Sequence, residues 1–414
     1  MPIKTPSATK AAQRKKIRRA KRDIHIRQGV QLGVLGLFLL TVLQANYPFA
    51  PWIPPELFLW LDPLTAVVLT AAARAFIPMF LLSLIVLVLP FILGRSFCGW
   101  VCPLGTLVDL SDRLIAKKDR IGRRFRPFKT WALIAFVVSA LFGFSAVWLL
   151  DPLPLLWRTF GGAIFPGITW GLNAAFDTSL AWGYDPDWLF DTFDFLSLHV
   201  LPLKAHAVAG AWFIFVFFVV ILGLSFFQRR FWCRNLCPLG ALLGLLSKFS
   251  PLQRVVKSGT CTNCALCTKE CKMGAIEDDF VTTEKSECIF CLNCAAQCRA
   301  GETVYTFRTP VEMQSEPDFA RRSFVAATGV GLIGAGMVNL GQDPDNRDRR
   351  YIRPPGAQPE EAFLDRCIRC NECVRICATT GRCLQPTHFE AGFAAFWSPV
   401  AVFQEGYCEY NCNL

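Results

Sequence analysis

The stretch FCGWVCPLG at 97–105 ends an apolar run with two cysteines four apart, the second followed by proline. It recurs as FWCRNLCPLG at 231–240. An offset of 135 residues sets Cys98 on Cys233 and also aligns Arg95 with Arg230, Cys102 with Cys237, Pro103 with Pro238, Leu104 with Leu239, Gly105 with Gly240 and Leu107 with Leu242. An internal repeat of this kind decides the architecture before any single element is assigned.

The segments around the repeat are strongly apolar. The 414 residues are 53% hydrophobic, with 36 Phe and 12 Trp but only 18% charged residues. A soluble chain would spread its apolar residues by amphipathic periodicity. Here they come in blocks at 29–46, 75–93, 130–150 and 207–227, each near the roughly 20 residues that cross a bilayer. Buried core helices are the alternative. The first 28 residues are basic and polar, and no cleavable signal peptide is visible.

Lys and Arg set the orientation. Residues 10–27 hold Lys10, Arg14, Lys15, Lys16, Arg18, Arg19, Lys21, Arg22 and Arg27, and the 94–129 loop is equally basic from Arg113 to Lys129. Segment 151–206 instead carries Asp151, Asp177, Asp185, Asp187, Asp191 and Asp194. The N-terminus, the 94–129 loop and the chain after 227 are therefore expected in the cytoplasm, with 47–74 and 151–206 outside. Beside a membrane span, the basic N-terminal run reads as an orientation and lipid-contact signal, and no nucleic-acid partner is expected. Both CxxxCP motifs then fall at cytoplasmic helix ends, where proline lets the chain leave the helix direction. Three readings fit the four cysteines Cys98, Cys102, Cys233 and Cys237: a shared extra iron–sulfur centre, redox-active thiol pairs, or packing at helix ends.

The tight spacing of most of the 19 cysteines suits metal ligation better than disulfide bridging. The strongest signal is CTNCALCTKEC at 261–271 followed by CIFCLNCAAQC at 288–298. Each is C-x2-C-x2-C-x3-C, the run of bacterial two-cluster ferredoxins, in which the fourth cysteine ligates the other cluster. One [4Fe–4S] cluster is thus expected on Cys261, Cys264, Cys267 and Cys298, and a second on Cys288, Cys291, Cys294 and Cys271. Two zinc sites are the competing reading. Lys272 and Arg299 stand where a proline usually follows the run. Their positive charge is expected to favour the reduced clusters.

A third run, CIRCNECVRIC at 367–377, repeats the spacing with Cys367, Cys370, Cys373 and Cys377, and CEYNC brings Cys408 and Cys412. These would hold one or two further clusters. Each set is one ligand short, and the sequence reads as a piece of a longer protein, with a vestigial last domain as the alternative. Cys383 has no spacing role and defaults to a buried thiol. The four histidines (His25, His199, His206, His388) do not pair at matching depth, and neither a P-loop nor a GxGxxG after a strand is present.

The paired CxxxCP motifs followed by a two-cluster module resemble the NapH/NosR-type membrane polyferredoxins over about 29–300, with the membrane subunit of the NapGH quinol dehydrogenase as the nearest likeness. The remainder, with RRSFVAATG at 321–329 similar to an internal twin-arginine signal, resembles a NapG-type ferredoxin segment. The resemblance implies quinone or quinol, membrane lipid and a respiratory reductase or cytochrome as partners, with electrons passing from quinol through iron–sulfur centres towards an extracytoplasmic acceptor. The alternative is a redox accessory factor that assembles or maintains a metal centre in a partner respiratory enzyme.

The expected fold is an integral membrane α-helical protein of the cytoplasmic (inner) membrane, with four transmembrane helices and a candidate fifth at 321–341, carrying α+β ferredoxin-like domains. The expected division is a basic segment 1–28, a membrane domain 29–250, a ferredoxin domain 251–308, a linker 309–362 and an incomplete second ferredoxin-like domain 363–414. The twin-arginine likeness places that last domain outside the cytoplasm; Arg347, Arg349, Arg350 and Arg353 just after the apolar segment oppose the crossing.

Overall fold

The computed structural model describes residues 6–46, 52–115, 123, 125–143, 145–183, 186–199, 208–256, 261–307, 321–340, 351–388 and 392–409. Cys412, the basic residues Lys117, Lys118, Arg120 and Arg124, and the parts 309–320 and 341–350 of the expected linker lie outside them.

The described chain falls into two compact units. One unit takes Met1–Leu37, Phe80–Leu133 and Leu222–Phe324; the other takes Phe38–Met79, Ile134–Ile221 and Val325–Leu414. Each cysteine-rich module shares its unit with apolar segments.

In the first unit, helix Ser83–Leu93 stops at Gly94, whose φ of +60° suits glycine. The short helix Ser96–Trp100 carries Cys98, and Cys102 caps helix Pro103–Leu114, where proline at the first position is preorganised for the helix. The second copy has the same form. A π-turn, Trp232–Leu236, carries Cys233, and Cys237 caps helix Pro238–Ser247, with its Sγ accepting from Gly240 N–H at 3.3 Å. The ferredoxin module follows, closed by the antiparallel pair β1 (Leu252–Val256) and β2 (Thr303–Phe307), with Leu252 opposite Phe307 and Val256 opposite Thr303. Arg254, buried on β1, ties the intervening loop by donating to Phe280 O, Val281 O and Thr283 Oγ1 at 2.9–3.1 Å.

In the second unit, helix Pro63–Ala73 starts at Asp62, which accepts from Leu64 and Thr65 N–H. Helix Pro152–Arg158 starts at Asp151 and runs through a π-turn into Phe165–Ala181. The second module contains helices Glu360–Arg366 and Glu372–Ala378 and the pair β3 (Leu384–Pro386) and β4 (Pro399–Ala401). Its start precedes the expected 363, because Ala401 N–H donates to Ile352 O and Arg353 binds Glu360 and Ser398.

The basic N-terminal segment is not separate. It continues the first apolar block as one helix, Pro6–Gln44. Among the described residues, that helix alone is long and apolar enough to cross a membrane. The other expected spans are shorter helices: Pro78–Leu82 is a 3-10 turn ahead of Ser83–Leu93, Pro127–Leu141 stops before Gly143 at φ +82°, and Ala211–Gly223 ends in a 3-10 turn. Their apolar side chains are nonetheless exposed: Leu84, Ile85, Val88 and Ile92 on one, Trp212, Phe215, Val216 and Val219 on another. The expected fifth span forms helix Arg321–Leu340, and Gly331 lies close against Val138 of Pro127–Leu141.

Candidate iron–sulfur sites

Three cysteine runs share one backbone. In each, the residues on either side of the second cysteine have positive φ: Asn263 and Ala265 (49° and 54°), Phe290 and Leu292 (52° and 66°), Arg369 and Asn371 (51° and 65°). None is glycine, and a non-glycine residue in the left-handed region is uncommon, clustering where function demands it. The same costly loop three times over is a shape the C-x2-C-x2-C spacing needs in order to wrap its thiols around one point.

The first module contains two cavities. One is lined by Cys261, Cys264, Cys267 and Cys298, and the other by Cys271, Cys288, Cys291 and Cys294. Each thus draws three cysteines from one run and the fourth from the other. Among the described residues, no three His, Cys, Asp or Glu side chains close on a single-ion site; a cubane holds its thiolates further apart than one ion does. The donor set and the cavities fit [4Fe–4S] groups. Tyr305 stands over the second cavity, with its hydroxyl 3.0 Å from Cys294 Sγ.

The CxxxCP cysteines are brought together, all four buried. Cys102 feels the charge of Cys98 and Cys233, and Cys237 that of Cys233, Cys98 and Cys102. Burial pushes the Cys102 and Cys237 thiols well up and Cys233 to about 11. The two repeats grip each other reciprocally. Arg230 donates to Cys98 O at 3.2 Å, and the aligned Arg95 donates to Cys233 O at 3.2 Å.

Each arginine also meets a buried carboxylate. Arg230 donates to Asp109 Oδ1 at 2.6 Å, while Lys272 sits 2.9 Å and Arg27 3.3 Å from Oδ2. Burial alone would raise the Asp109 carboxyl, but Arg230 and Lys272 outweigh it and hold it well below the carboxylate range. The position aligned with Asp109 is Gly244, so the second repeat has no carboxylate of its own. Glu287 supplies it: Arg95 reaches Glu287 Oε2 at 3.1 Å, and Lys129 pairs with Oε1. Gly244 leaves the space, since a Cβ there would lie 2.9 Å from Ser286 O. The ferredoxin module thus completes the pseudo-twofold, and its Lys272, beside Cys271, is bound to Asp109 as well as lying near Cys291.

In the second unit, Cys367, Cys370 and Cys373 lie together. Arg369, fully buried between the first two, donates to Ser145 O at 2.9 Å and to Ala394 O, with its guanidinium over the Trp148 ring at 5.0 Å. Cys383 is buried, with its Sγ 3.8 Å from Cys377 Sγ and Cys408 nearby. Nothing in its spacing foretold this. Cys412 is not among the described residues.

These loops and cavities define an iron–sulfur protein of the ferredoxin type. The family described as 4Fe-4S binding domain matches at 75–122 and 210–255, once around each CxxxCP pair. The regulatory protein NosR of Pseudomonas aeruginosa is 31% identical over 64% of this chain and 29% of its own length. The putative electron transport protein YccM of Escherichia coli is 25% identical over 54% of each chain, and the ferredoxin-type protein NapH of Haemophilus influenzae 24% identical over 72% of this chain and 93% of its own. The chain therefore spans about half or less of the length of NosR and YccM. No solved structure matches. With these relatives and the doubled domain match, the chain belongs to the NapH/NosR-type polyferredoxins.

Proposed function

We propose that the protein is a membrane-bound iron–sulfur electron carrier that takes electrons from quinol and passes them towards an extracytoplasmic reductase or cytochrome. The observation that carries this reading is the pair of cross-lined cavities in the first module. There Cys261, Cys264, Cys267 and Cys298 would hold one [4Fe–4S] cluster, and Cys288, Cys291, Cys294 and Cys271 the other. Bound clusters supply one-electron chemistry; the chain supplies burial, position and charge. Cys98, Cys102, Cys233 and Cys237 would share a further centre, and Cys367, Cys370 and Cys373 part of another.

Four spans in the inner membrane, with 321–340 as a fifth, remain the topology we favour, supported by the exposed apolar faces. The first unit packs its module on Arg95, Arg123, Arg126 and Lys129, so the positive-inside rule makes it cytoplasmic. The second module packs on segments at Ser145 and Ala209, which border the acidic 151–206 stretch expected outside.

Adding a short-chain quinol to anaerobic membrane vesicles that contain the protein tests the reading. Reduced-cluster signals in electron paramagnetic resonance (EPR) spectra are expected within the turnover of a respiratory chain. No reduction by quinol, together with loss of a metal centre in a partner enzyme when the gene is removed, would replace it by the accessory role.

A further inference from the structure

Two acids of the second unit lie deeper than helix capping requires. Asp62 starts helix Pro63–Ala73, Asp151 starts helix Pro152–Arg158, and both are 0% exposed. They are hydrogen-bonded to each other, and Thr65 Oγ1 lies 3.1 Å from Oδ2 of each. A threonine hydroxyl carries one hydrogen, and an ionised carboxylate only accepts. Thr65 can therefore donate to one acid alone. Its second contact needs a proton on an acid, and so does the bond between the two carboxyls.

With one proton shared, one negative charge stays buried. Leu64 and Thr65 N–H both reach Asp62 Oδ1, at 3.1 and 3.4 Å. Asp151 Oδ1 has no hydrogen-bond partner among the described residues, and a buried charged oxygen without a donor is costly. Leu153 N–H and Thr65 favour the ionised Asp151, but burial and the charge of Asp62 outweigh them and raise its carboxyl. Burial likewise raises Asp62, to about 6. Two carboxylates in one site resist double ionisation, and the pair is poised to take a second proton.

The pair is tied to the cysteines of the second module. Helix Pro63–Ala73 packs on Glu360–Arg366, which leads into Cys367, and the π-turn after Arg158 packs on Glu372–Ala378, which carries Cys373. Arg158 ends the helix that Asp151 starts, and its charge acts on Asp151 and on Cys370 alike. Its guanidinium stands 5.3 Å from the centre of the Trp148 ring, and that of Arg369, between Cys367 and Cys370, stands 5.0 Å from the same ring. Of the other charged groups on these elements, Glu360 binds Arg353, Glu56 and Glu372 act on each other, and Arg375 lies over the Phe165 ring. Asp365 is half-buried, and Arg74 and Arg366 are exposed.

We propose that Asp62 and Asp151 form a redox-linked proton site, which holds one proton while the cluster on Cys367, Cys370 and Cys373 is oxidised and binds a second when that cluster is reduced. The proposal rests on the reading that these cysteines hold a cluster. One electron from the donor enters the cluster and one proton from solvent bonds to the remaining carboxylate; both leave when the acceptor reoxidises the cluster. Linkage makes the effect reciprocal, so a bound proton tightens electron binding by the factor with which reduction tightens proton binding.

The test is a redox titration of the full chain, produced anaerobically, across the pH range around 6, following the EPR signal that Cys370→Ser removes. In the wild type its potential should fall as pH rises, by about 59 mV in all for a tenfold linkage of a one-electron couple. Asp151→Asn and Asp62→Asn keep the side-chain shape and remove one titrating acid; in each the fall should be lost, and either serves if the other does not fold. Asp177→Asn, exposed on helix Phe165–Ala181, should behave as the wild type. A protonated-carboxyl band should also grow on reduction in infrared difference spectra and vanish in Asp62→Asn. The same fall in the wild type and a folded Asp62→Asn or Asp151→Asn, or a wild-type potential independent of pH, would overturn the proton site and leave the cluster standing. If no signal depends on Cys370, the cluster reading falls and the proton site falls with it.

Discussion

Replacing Gly99 by alanine should loosen the grip between the first CxxxCP loop and the ferredoxin module. Gly99 follows Cys98 on helix Ser96–Trp100, and its added Cβ would fall far inside the 3.0 Å that real Cβ atoms keep from Ile289 O, and 3.3 Å from Ile289 Cβ. Both sides are backbone, so no flexible side-chain end can swing away. Gly99 is also held from behind, because its carbonyl accepts from Gln31 Nε2 at 3.0 Å and Arg27 Nη1 at 3.3 Å. Trp100 Nε1 donates to Phe290 O at 3.1 Å, so the clash cannot be relieved without disturbing this bond. Overpacking of this kind costs about 1–3 kcal/mol, and each hydrogen bond given up in the adjustment adds about 1 kcal/mol. Hydrogen–deuterium exchange of the purified protein should show lost protection across 286–292, with a lower melting temperature. Gly171→Ala is the control: nothing lies within 4 Å of its added Cβ, on helix Phe165–Ala181, and alanine there should be neutral or stabilising by up to about 1 kcal/mol. Unchanged exchange at 286–292 and an unchanged melt in Gly99→Ala would refute the packing of Ile289 on Gly99.

Three further outcomes are expected. Cys264→Ser and Cys298→Ser should damage the same cluster signal in EPR and spare the one damaged by Cys291→Ser, because the cavities draw on both runs. The buried pair Asp62 and Asp151, bridged by Thr65 Oγ1 at 3.1 Å from each, should hold a proton in the folded state. Burial raises both carboxyls, Asp62 to about 6, so the folded state binds more protons than the unfolded one from about pH 4 upward. The stability that Asp62 contributes is present at low pH and lost as pH rises through about 6, and the raised Asp151 carboxyl acts in the same direction; thermal melts should show a smaller loss in Asp151→Asn. A reporter fused after Gly356 should be active only outside the cytoplasm, and activity confined to the cytoplasm would move the second module to the inner side.

The cysteine runs were legible because a cluster fixes its ligands' spacing, and three runs with one spacing adopt one backbone. The repeat was legible too, down to the alignment of Arg95 with Arg230. That the two arginines cross to each other's cysteine carbonyls was not, since alignment carries no information on which copy a side chain reaches. Glu287 was missed for a related reason: it replaces Asp109 from a different segment, and only the glycine at 244 hinted that the second repeat lacked its own acid. The apolar blocks outran the helices, because hydropathy does not register the 3-10 turn at Pro78 or the left-handed Gly143 that end regular structure. Asp62 and Asp151 each precede a proline at a helix start, a capping pattern that gives no sign of the two meeting. Cys383 reaches Cys377 through the fold of the second module rather than through spacing.

The most direct test of the central claim is metal and sulfide analysis of the full chain produced anaerobically, read with its EPR spectrum after reduction. The account predicts at least about eight iron and eight labile sulfide per chain, and two interacting [4Fe–4S] signals from the first module. Bound zinc without sulfide, or one signal insensitive to both Cys264→Ser and Cys291→Ser, would contradict it.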